Sequence, residues 1–140
     1  MHVLVPFDDS DPAREALEHA VTTYSAIDLT VLHVVEPSIV TDWRDNANDS
    51  DASFPITAED MAVESVFEFV STIADEHDIT IATEVLLGSP SRAIVQFAEG
   101  NDVDWIVVGS HGRTGASRVL LGSVAEQVVR RAPVPVTVVR

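Results

Sequence analysis

The segment Val3-Leu-Val-Pro-Phe-Asp-Asp-Ser-Asp-Pro12 decides the fold, because it contains a strand, a turn and the start of a helix. Its first four residues form a short apolar run that is typical of a buried strand. The aspartates and the serine can cap a helix, and proline fits the first helical turn. We therefore predict a helix over about Pro12–Tyr24, whose buried face consists of Ala13, Ala16, Leu17, Ala20 and Val21.

The same alternation of strand and helix continues to the end of the chain. Further apolar runs predict strands over Leu29–Val35, Ile79–Leu87, Val103–Val108 and Pro133–Val139. Helices are predicted from a capping box at Thr57 and Asp60 to about Asp75, after Gly88-Ser89-Pro90, and beyond Gly115 to about Arg131. Almost continuously apolar strands that alternate with helices predict the α/β class: a five-stranded, parallel, open sheet with helices on both faces.

Two segments add detail to this prediction. Residues 38–56 are rich in Asp, Asn and Ser and break every periodicity, which predicts a long acidic loop inside one domain that spans residues 1–140. Pro135 cannot donate a hydrogen bond to a neighbouring strand, so the last strand is predicted to lie at an edge of the sheet. Such an edge could pair with a partner chain.

The charge of the chain excludes one class of partner. It has 23 Asp and Glu residues against 8 basic residues, all of them Arg, and a net charge of −15. Nucleic-acid affinity comes mainly from Lys and Arg, so neither DNA nor RNA is an expected partner. A lysine-free acidic surface suits molar salt, which screens self-repulsion, and predicts a halophilic source. An acidic protein from an ordinary organism is the alternative, and only the halophilic protein should unfold on dilution to low salt.

The sequence also bounds redox chemistry and location. It contains no Cys, which excludes disulfides, a thiol nucleophile and cysteine-ligated metal. Residues 1–6 lack the basic start and apolar core of a signal peptide, and no apolar run approaches the length of a membrane span. We therefore predict a cytoplasmic protein without a membrane partner.

Three predicted turns carry residues that could bind a ligand. In an open parallel sheet, ligands bind at the carboxyl ends of the strands where the strand order reverses. The turns at these ends contain Asp8-Asp9-Ser10, Gly88–Arg92 and Gly109–Gly115. Glycine lets main-chain N–H groups approach an anion, and the next helix adds partial positive charge, so the third turn predicts a phosphate site. Close packing of a helix is the alternative reason for these glycines.

The spacing of the glycines is more specific than their presence. Gly109, two residues, Gly112, nine residues and then Gly122-Ser123 form the pattern G-x2-G-x9-G-[S/T], which resembles the motif of ATP-binding universal stress proteins. The resemblance to that family extends along the chain. It includes the segments VPFDDS at 5–10, LHVV at 32–35, GSP at 88–90 and PVPV at 133–136.

This resemblance implies a Rossmann-like sheet of the adenine nucleotide alpha-hydrolase type that binds ATP or another adenine nucleotide. The residues expected at the nucleotide are Pro6, Asp8, Val34, Val35, Gly109, His111, Gly112, Arg113, Gly122, Ser123 and Val124. By resemblance, Asp8 and the segment around the two valines would hold ribose and adenine, and the glycines and serine would hold phosphates. Asp8 is also the candidate ligand for Mg²⁺. Members of the family commonly pair through the C-terminal strand, which implies a homodimer.

Several candidate residues have a structural alternative. Arg113 and Arg118 could contact phosphate or be solvated loop side chains. His111 could be a general acid or a metal ligand, or it could simply be exposed. Asp9 could assist a metal ion beside Asp8, or it could act as the N-cap of the first helix.

The expected function is a nucleotide-binding stress or signalling protein whose nucleotide state alters its partners. We expect no enzyme, and slow or no hydrolysis, since no Lys can stabilise a leaving phosphate. The alternative is a dimeric interaction module of the same fold without nucleotide. A response-regulator receiver is disfavoured because the third strand ends in Leu86-Leu87-Gly88 rather than in aspartate, and an ATP-pyrophosphatase is disfavoured because its Ser-Gly-Gly loop is missing.

Overall fold

The computed structural model describes residues 1–24, 27–36, 56–111 and 121–140. The strands are β1 (His2–Pro6), β2 (Asp28–Val35), β3 (Ile81–Leu87), β4 (Trp105–Gly109) and β5 (Val136–Val139). The helices are α1 (Asp11–Thr23), α2 (Ile56–Glu76), α3 (Pro90–Gly100) and α4 (Ser123–Arg131). Within these described ranges, no helix is both long enough and apolar enough to cross a membrane.

The strands form one parallel sheet in the order β3-β2-β1-β4-β5. β1 is therefore the central strand, and the chain builds outward from it twice, first through β2 to β3 and then through β4 to β5. This arrangement confirms the predicted α/β class. The strand order reverses between β1 and β4, which is the place where an open parallel sheet forms its ligand crevice.

An apolar layer covers each face of the sheet, because successive strand residues point to opposite sides. Val3 and Val5 pack on one face with residues of α1 and α2, whereas Leu4 packs on the other with residues of α3 and α4. Helices on both faces are therefore confirmed. Most of the predicted stripe of α1 is buried, and only Val21 is partly exposed.

Some element boundaries differ from the prediction. β5 begins at Val136 rather than Pro133, although the carbonyl of Pro135 accepts a hydrogen bond from the N–H of Ile106 at 3.0 Å. The proline supplies its acceptor to β4 and has no donor to give, and β5 is an edge strand as predicted. β3 and β4 also begin later than predicted, at the positions given above.

The start of α2 corrects another prediction. This helix begins at Ile56, so Thr57 lies inside its first turn rather than at the N-cap position of a capping box. The predicted acidic loop over 38–56 otherwise lies outside the described residues.

Candidate nucleotide site between β1 and β4

The candidate crevice lies where the pairing of β1 with β4 stops short of their carboxyl ends. Their pairing ends at Leu4 and Ile106, whereas β1 pairs with β2 as far as Pro6 and Leu32. The N–H of Phe7 donates to the carbonyl of Leu32 at 2.8 Å, so the main chain of Pro6, one residue earlier, faces β4. Since proline has no N–H, the hydrogen bonds to β4 cannot continue there. Pro6 thus helps to open the crevice.

The turn after β1 forms one wall of this crevice. Ser10 is the N-cap of α1, and its Oγ accepts a hydrogen bond from the N–H of Ala13 at 3.3 Å. The alternative N-cap role of Asp9 is therefore wrong. Asp9 instead adopts a left-handed backbone conformation with a φ of 62°, which is uncommon for a residue other than glycine. The half-buried Asp8 accepts the N–H of Ser10 at its Oδ1, at 3.1 Å.

Side chains of α1 and α2 also hold this turn. Both Nε and a terminal nitrogen of Arg14 lie 2.9 Å from Oδ1 of Asp9, and this hydrogen bond is the main reason that the pKa of Arg14 is raised above its ordinary value. The guanidinium carbon lies 4.6 Å from the ring centroid of Phe69 in α2. The ring of Phe69 in turn stacks on Phe7, with centroids 6.2 Å apart and an interplanar angle of 10°. Both ends of the turn are thus fixed.

The opposite wall is built from main-chain hydrogen bonds around Ser110. Its N–H donates to the carbonyl of Val139 at 2.8 Å, and its carbonyl accepts the N–H of Gly122 at 2.6 Å. β4, β5 and the start of α4 therefore meet at Ser110. The second half of the glycine motif, Gly122-Ser123, consequently lies beside the end of β4.

The start of α4 has the features that an anion needs. Gly122 is its N-cap, with a φ of −68° and a ψ of 160°, a conformation open to any residue. The backbone conformation therefore does not explain why residue 122 is a glycine. Without a side chain, Gly122 makes no capping hydrogen bond to the first turn of α4, where the N–H groups carry partial positive charge. Ser123 is exposed there, and Val124 packs against the apolar layer of α3 and α4.

Gly109 has a packing role. A Cβ atom on it would lie 2.7 Å from both the carbonyl carbon and the oxygen of Pro12, so only glycine fits against the start of α1. This contact supports the predicted alternative of close helix packing. The N–H of Ser110 faces β5, so the main-chain groups of Gly109 face β1 and the crevice. The same glycine can therefore pack α1 and present its main chain to a ligand.

The end of β2 separates two predicted site residues. Val34 packs in the apolar layer of α3 and α4. Val35 is the next residue on the strand, so its side chain points to the other face of the sheet. His33 shares the face of Val35, and its Nδ1 donates to the carbonyl of Phe7 at 3.0 Å. This bond ties β2 to the turn after β1.

His111 and Gly88 complete the described turns. His111 is partly buried, with Nδ1 3.1 Å from Oγ of Ser110, so the expectation of a simply exposed side chain is corrected. Gly88 follows the edge strand β3, and β2 separates it from β1 and the crevice. Its φ of 144° explains the glycine. Four predicted turn residues lie outside the described residues: Gly112, Arg113, Gly115 and Arg118.

Sequence reasoning missed three residues that shape the site. Arg14 lies five residues after Asp9, outside the spacing of three or four residues that signals an ion pair on a helix. Phe69 belongs to the predicted apolar face of α2, but the pattern does not reveal that its ring meets a guanidinium. Ser110 acts through its main chain, which leaves no signal in the residue type.

The fold and the site together define a class: parallel α/β proteins whose strand order reverses between an aspartate turn and a glycine-serine helix start. Comparison with known sequences gives the family, because residues 1–140 match the universal stress protein family, and the chain belongs to it. Universal stress protein MJ0531 of Methanocaldococcus jannaschii is 36% identical over 142 residues, which cover 99% of this chain and 81% of that protein.

Solved structures agree with this assignment. MJ0577 of the same organism is 28% identical in the structural alignment, with a TM-score of 0.78 over 99% of this chain and 94% of its own. The universal stress protein of Archaeoglobus fulgidus, solved in complex with dAMP, is 20% identical, with a TM-score of 0.71 over 100% of this chain and 98% of its own. The predicted family and fold are therefore confirmed.

Proposed function

We propose that this protein binds ATP or another adenine nucleotide in the crevice between β1 and β4, and that it acts in stress response or signalling as a homodimer. The observation that carries the proposal is the hydrogen bond from Gly122 to Ser110, which brings Gly122 and Ser123 to the carboxyl end of β4. The dAMP complex of the Archaeoglobus fulgidus protein supports the choice of an adenine nucleotide.

The phosphates would bind at the start of α4. The N–H groups of its first turn, which Gly122 cannot cap with a side chain, and the hydroxyl of Ser123 are donors that suit phosphate oxygens. Gly122 and Gly109 would let a phosphate approach the main chain, and His111 stands close to the same strand end. Gly112 and Arg113 enter this proposal through the family motif alone.

The ribose and adenine would lie towards β1 and β2. Asp8 lies two residues beyond the end of β1, and a carboxylate is a suitable acceptor for ribose hydroxyls. The adenine would use either Val34 or Val35 as its side-chain contact, since the two face opposite sides of the sheet.

Mg²⁺ fits this site as an ion held mainly by the nucleotide. Among the described residues, no group of three or more histidine or acidic side chains could hold a metal ion. Mg²⁺ nevertheless binds through one or two carboxylates together with phosphates and water, and Asp8 offers one such carboxylate. The bound ion would neutralise phosphate charge.

The net charge of −15 opposes a polyanionic ligand. Molar salt reduces the screening length to about 3 Å and removes most of this repulsion. We therefore propose that nucleotide affinity falls as salt is withdrawn. Hydrolysis of the bound nucleotide should be slow or absent, because the chain has no lysine to stabilise a leaving phosphate. The release of phosphate from ATP and Mg²⁺ in molar KCl should therefore stay near background.

Mass spectrometry of small molecules released by acid tests nucleotide binding. The protein and its Gly122→Val and Ser123→Ala variants would be purified in molar KCl. ATP or ADP should be recovered from the unaltered protein, lost with Gly122→Val and reduced with Ser123→Ala. Ser89→Ala is a matched control, because Ser89 is the N-cap residue of α3 and its side chain makes no capping hydrogen bond.

If the unaltered protein releases no nucleotide and ATP does not raise its melting temperature, the nucleotide proposal is wrong. The chain would then be a dimeric interaction module of the same fold.

The exposed edge of β5 supports the homodimer. The carbonyls of Pro135 and Val139 face β4, so the main-chain groups of Val136 and Val138 face outward. Every residue of β5 is only partly buried, and such an edge can pair with a second copy. A dimeric mass in molar KCl is expected, and Val138→Pro should give a folded monomer by removing an outward donor. A monomeric mass for the unaltered protein would exclude the homodimer.

A further inference from the structure

Asp9 and Arg14 form an ion pair that none of the proposed nucleotide contacts uses. The side chain of Asp9 is 14% exposed, and that of Arg14 is 41% exposed. Two nitrogens of Arg14 converge on the same carboxylate oxygen, and Phe69 packs against the guanidinium. The guanidinium is therefore held by two different groups, a carboxylate and an aromatic ring.

The ion pair with Arg14 can hold Asp9 in its left-handed backbone conformation. A left-handed φ is unfavourable for a residue with a side chain, and the surrounding structure must hold it. If Asp9 returned to a negative φ, the N–H of Ser10 would move away from Oδ1 of Asp8. The orientation of the Asp8 carboxylate therefore depends on the conformation of Asp9.

We propose that Arg14 is a positioning residue for ribose recognition, which acts through Asp9 on Asp8. It fixes the carboxylate of Asp9 from α1, and Phe69 supports its guanidinium from α2. The inference rests on the proposed function, because it takes Asp8 to be the group that contacts the ribose.

Two nucleotides test this role, namely ATP and 2′,3′-dideoxy-ATP, which lacks both ribose hydroxyls. Isothermal titration in molar KCl would give both affinities for the unaltered protein and for Arg14→Met, which keeps an unbranched side chain without charge. We expect Arg14→Met to weaken ATP binding about five- to thirtyfold, which corresponds to a conformational cost of about 1–2 kcal/mol at Asp9, and to leave dideoxy-ATP binding unchanged. A general loss of structure would weaken both nucleotides equally.

A second variant separates the conformation of Asp9 from its charge. Glycine adopts a positive φ without strain, so Asp9→Gly should keep the turn without the ion pair. Arg14→Met should therefore have no further effect on ATP affinity in the Asp9→Gly background. Arg130→Gln is the matched control, because Arg130 pairs with Glu126 on α4, away from the turn, and it should alter neither affinity.

The outcomes distinguish this inference from the proposed function. If the unaltered protein binds neither nucleotide, both are wrong. If it binds ATP and dideoxy-ATP equally, or if Arg14→Met weakens both to the same degree, nucleotide binding stands and the positioning role of Arg14 is overturned. An undiminished effect of Arg14→Met in the Asp9→Gly background would overturn it as well.

Discussion

The two walls of the crevice are built in different ways. Side chains hold the turn after β1, through the ion pair of Asp9 with Arg14 and the cap that Ser10 provides. Main-chain hydrogen bonds hold the other wall, where Ser110 joins the end of β5 to the start of α4. The first wall thus depends on charge and on a few polar side chains, and the second depends on the absence of side chains at its glycines.

This difference follows from what each wall would present to a ligand. A carboxylate such as that of Asp8 has to be oriented, and neighbouring side chains can do this with hydrogen bonds. Main-chain N–H groups are already oriented by the helix, and they need only be accessible. On the wall formed by Gly109, Ser110 and Gly122, substitutions should therefore act through added side-chain volume. On the wall formed by the turn after β1, they should act through lost polar contacts.

Gly109→Ala should have the largest effect, because it adds a side-chain atom where there is no room for one. Its Cβ would lie 2.7 Å from the main chain of Pro12, which cannot move without shifting the start of α1. We expect a loss of about 2–3 kcal/mol in the free energy of unfolding, measured by urea denaturation in molar KCl.

Gly100→Ala is the control for this substitution. Gly100 is the last residue of α3, and nothing lies within 4 Å of a Cβ built on it. This variant should be unchanged, or more stable by up to about 1 kcal/mol, since alanine is the better helix former. Equal losses at both glycines would contradict the packing role of Gly109.

Ser10→Ala should have an intermediate effect, because it removes one polar contact from the turn after β1. It removes the acceptor of the N–H of Ala13 and should cost about 1 kcal/mol of unfolding free energy. Ser89→Ala removes the corresponding serine of α3, which makes no capping bond, and should change stability by less than about 0.5 kcal/mol. If thermal unfolding shows the two variants to be alike, the cap of α1 does not stabilise the turn.

The sequence predicted what depends on local pattern and missed what depends on contacts across the fold. The apolar runs predicted the strands and the helices, and the capping residues near Ser10 predicted the start of α1, although several element boundaries differ. The family motif drew attention to Gly109, but its packing reason needs Pro12, which is distant in sequence. The left-handed conformation of Asp9 was also hidden, because aspartate is common at caps and turns of many kinds.

Arg130→Gln should have the smallest effect, and it sharpens the contrast between a turn held by an ion pair and a helix that merely carries one. Arg130 contacts Glu126 at 2.9 Å on the surface of α4, with side chains 73% and 49% exposed. Such a pair contributes about 0.3 kcal/mol in dilute buffer, and less in molar salt, where screening acts over about 3 Å. Urea denaturation at several salt concentrations that keep the protein folded should show this small loss fading as salt rises. A loss as large as that of Ser10→Ala would mean that charge stabilises both walls, and the contrast between them would not hold.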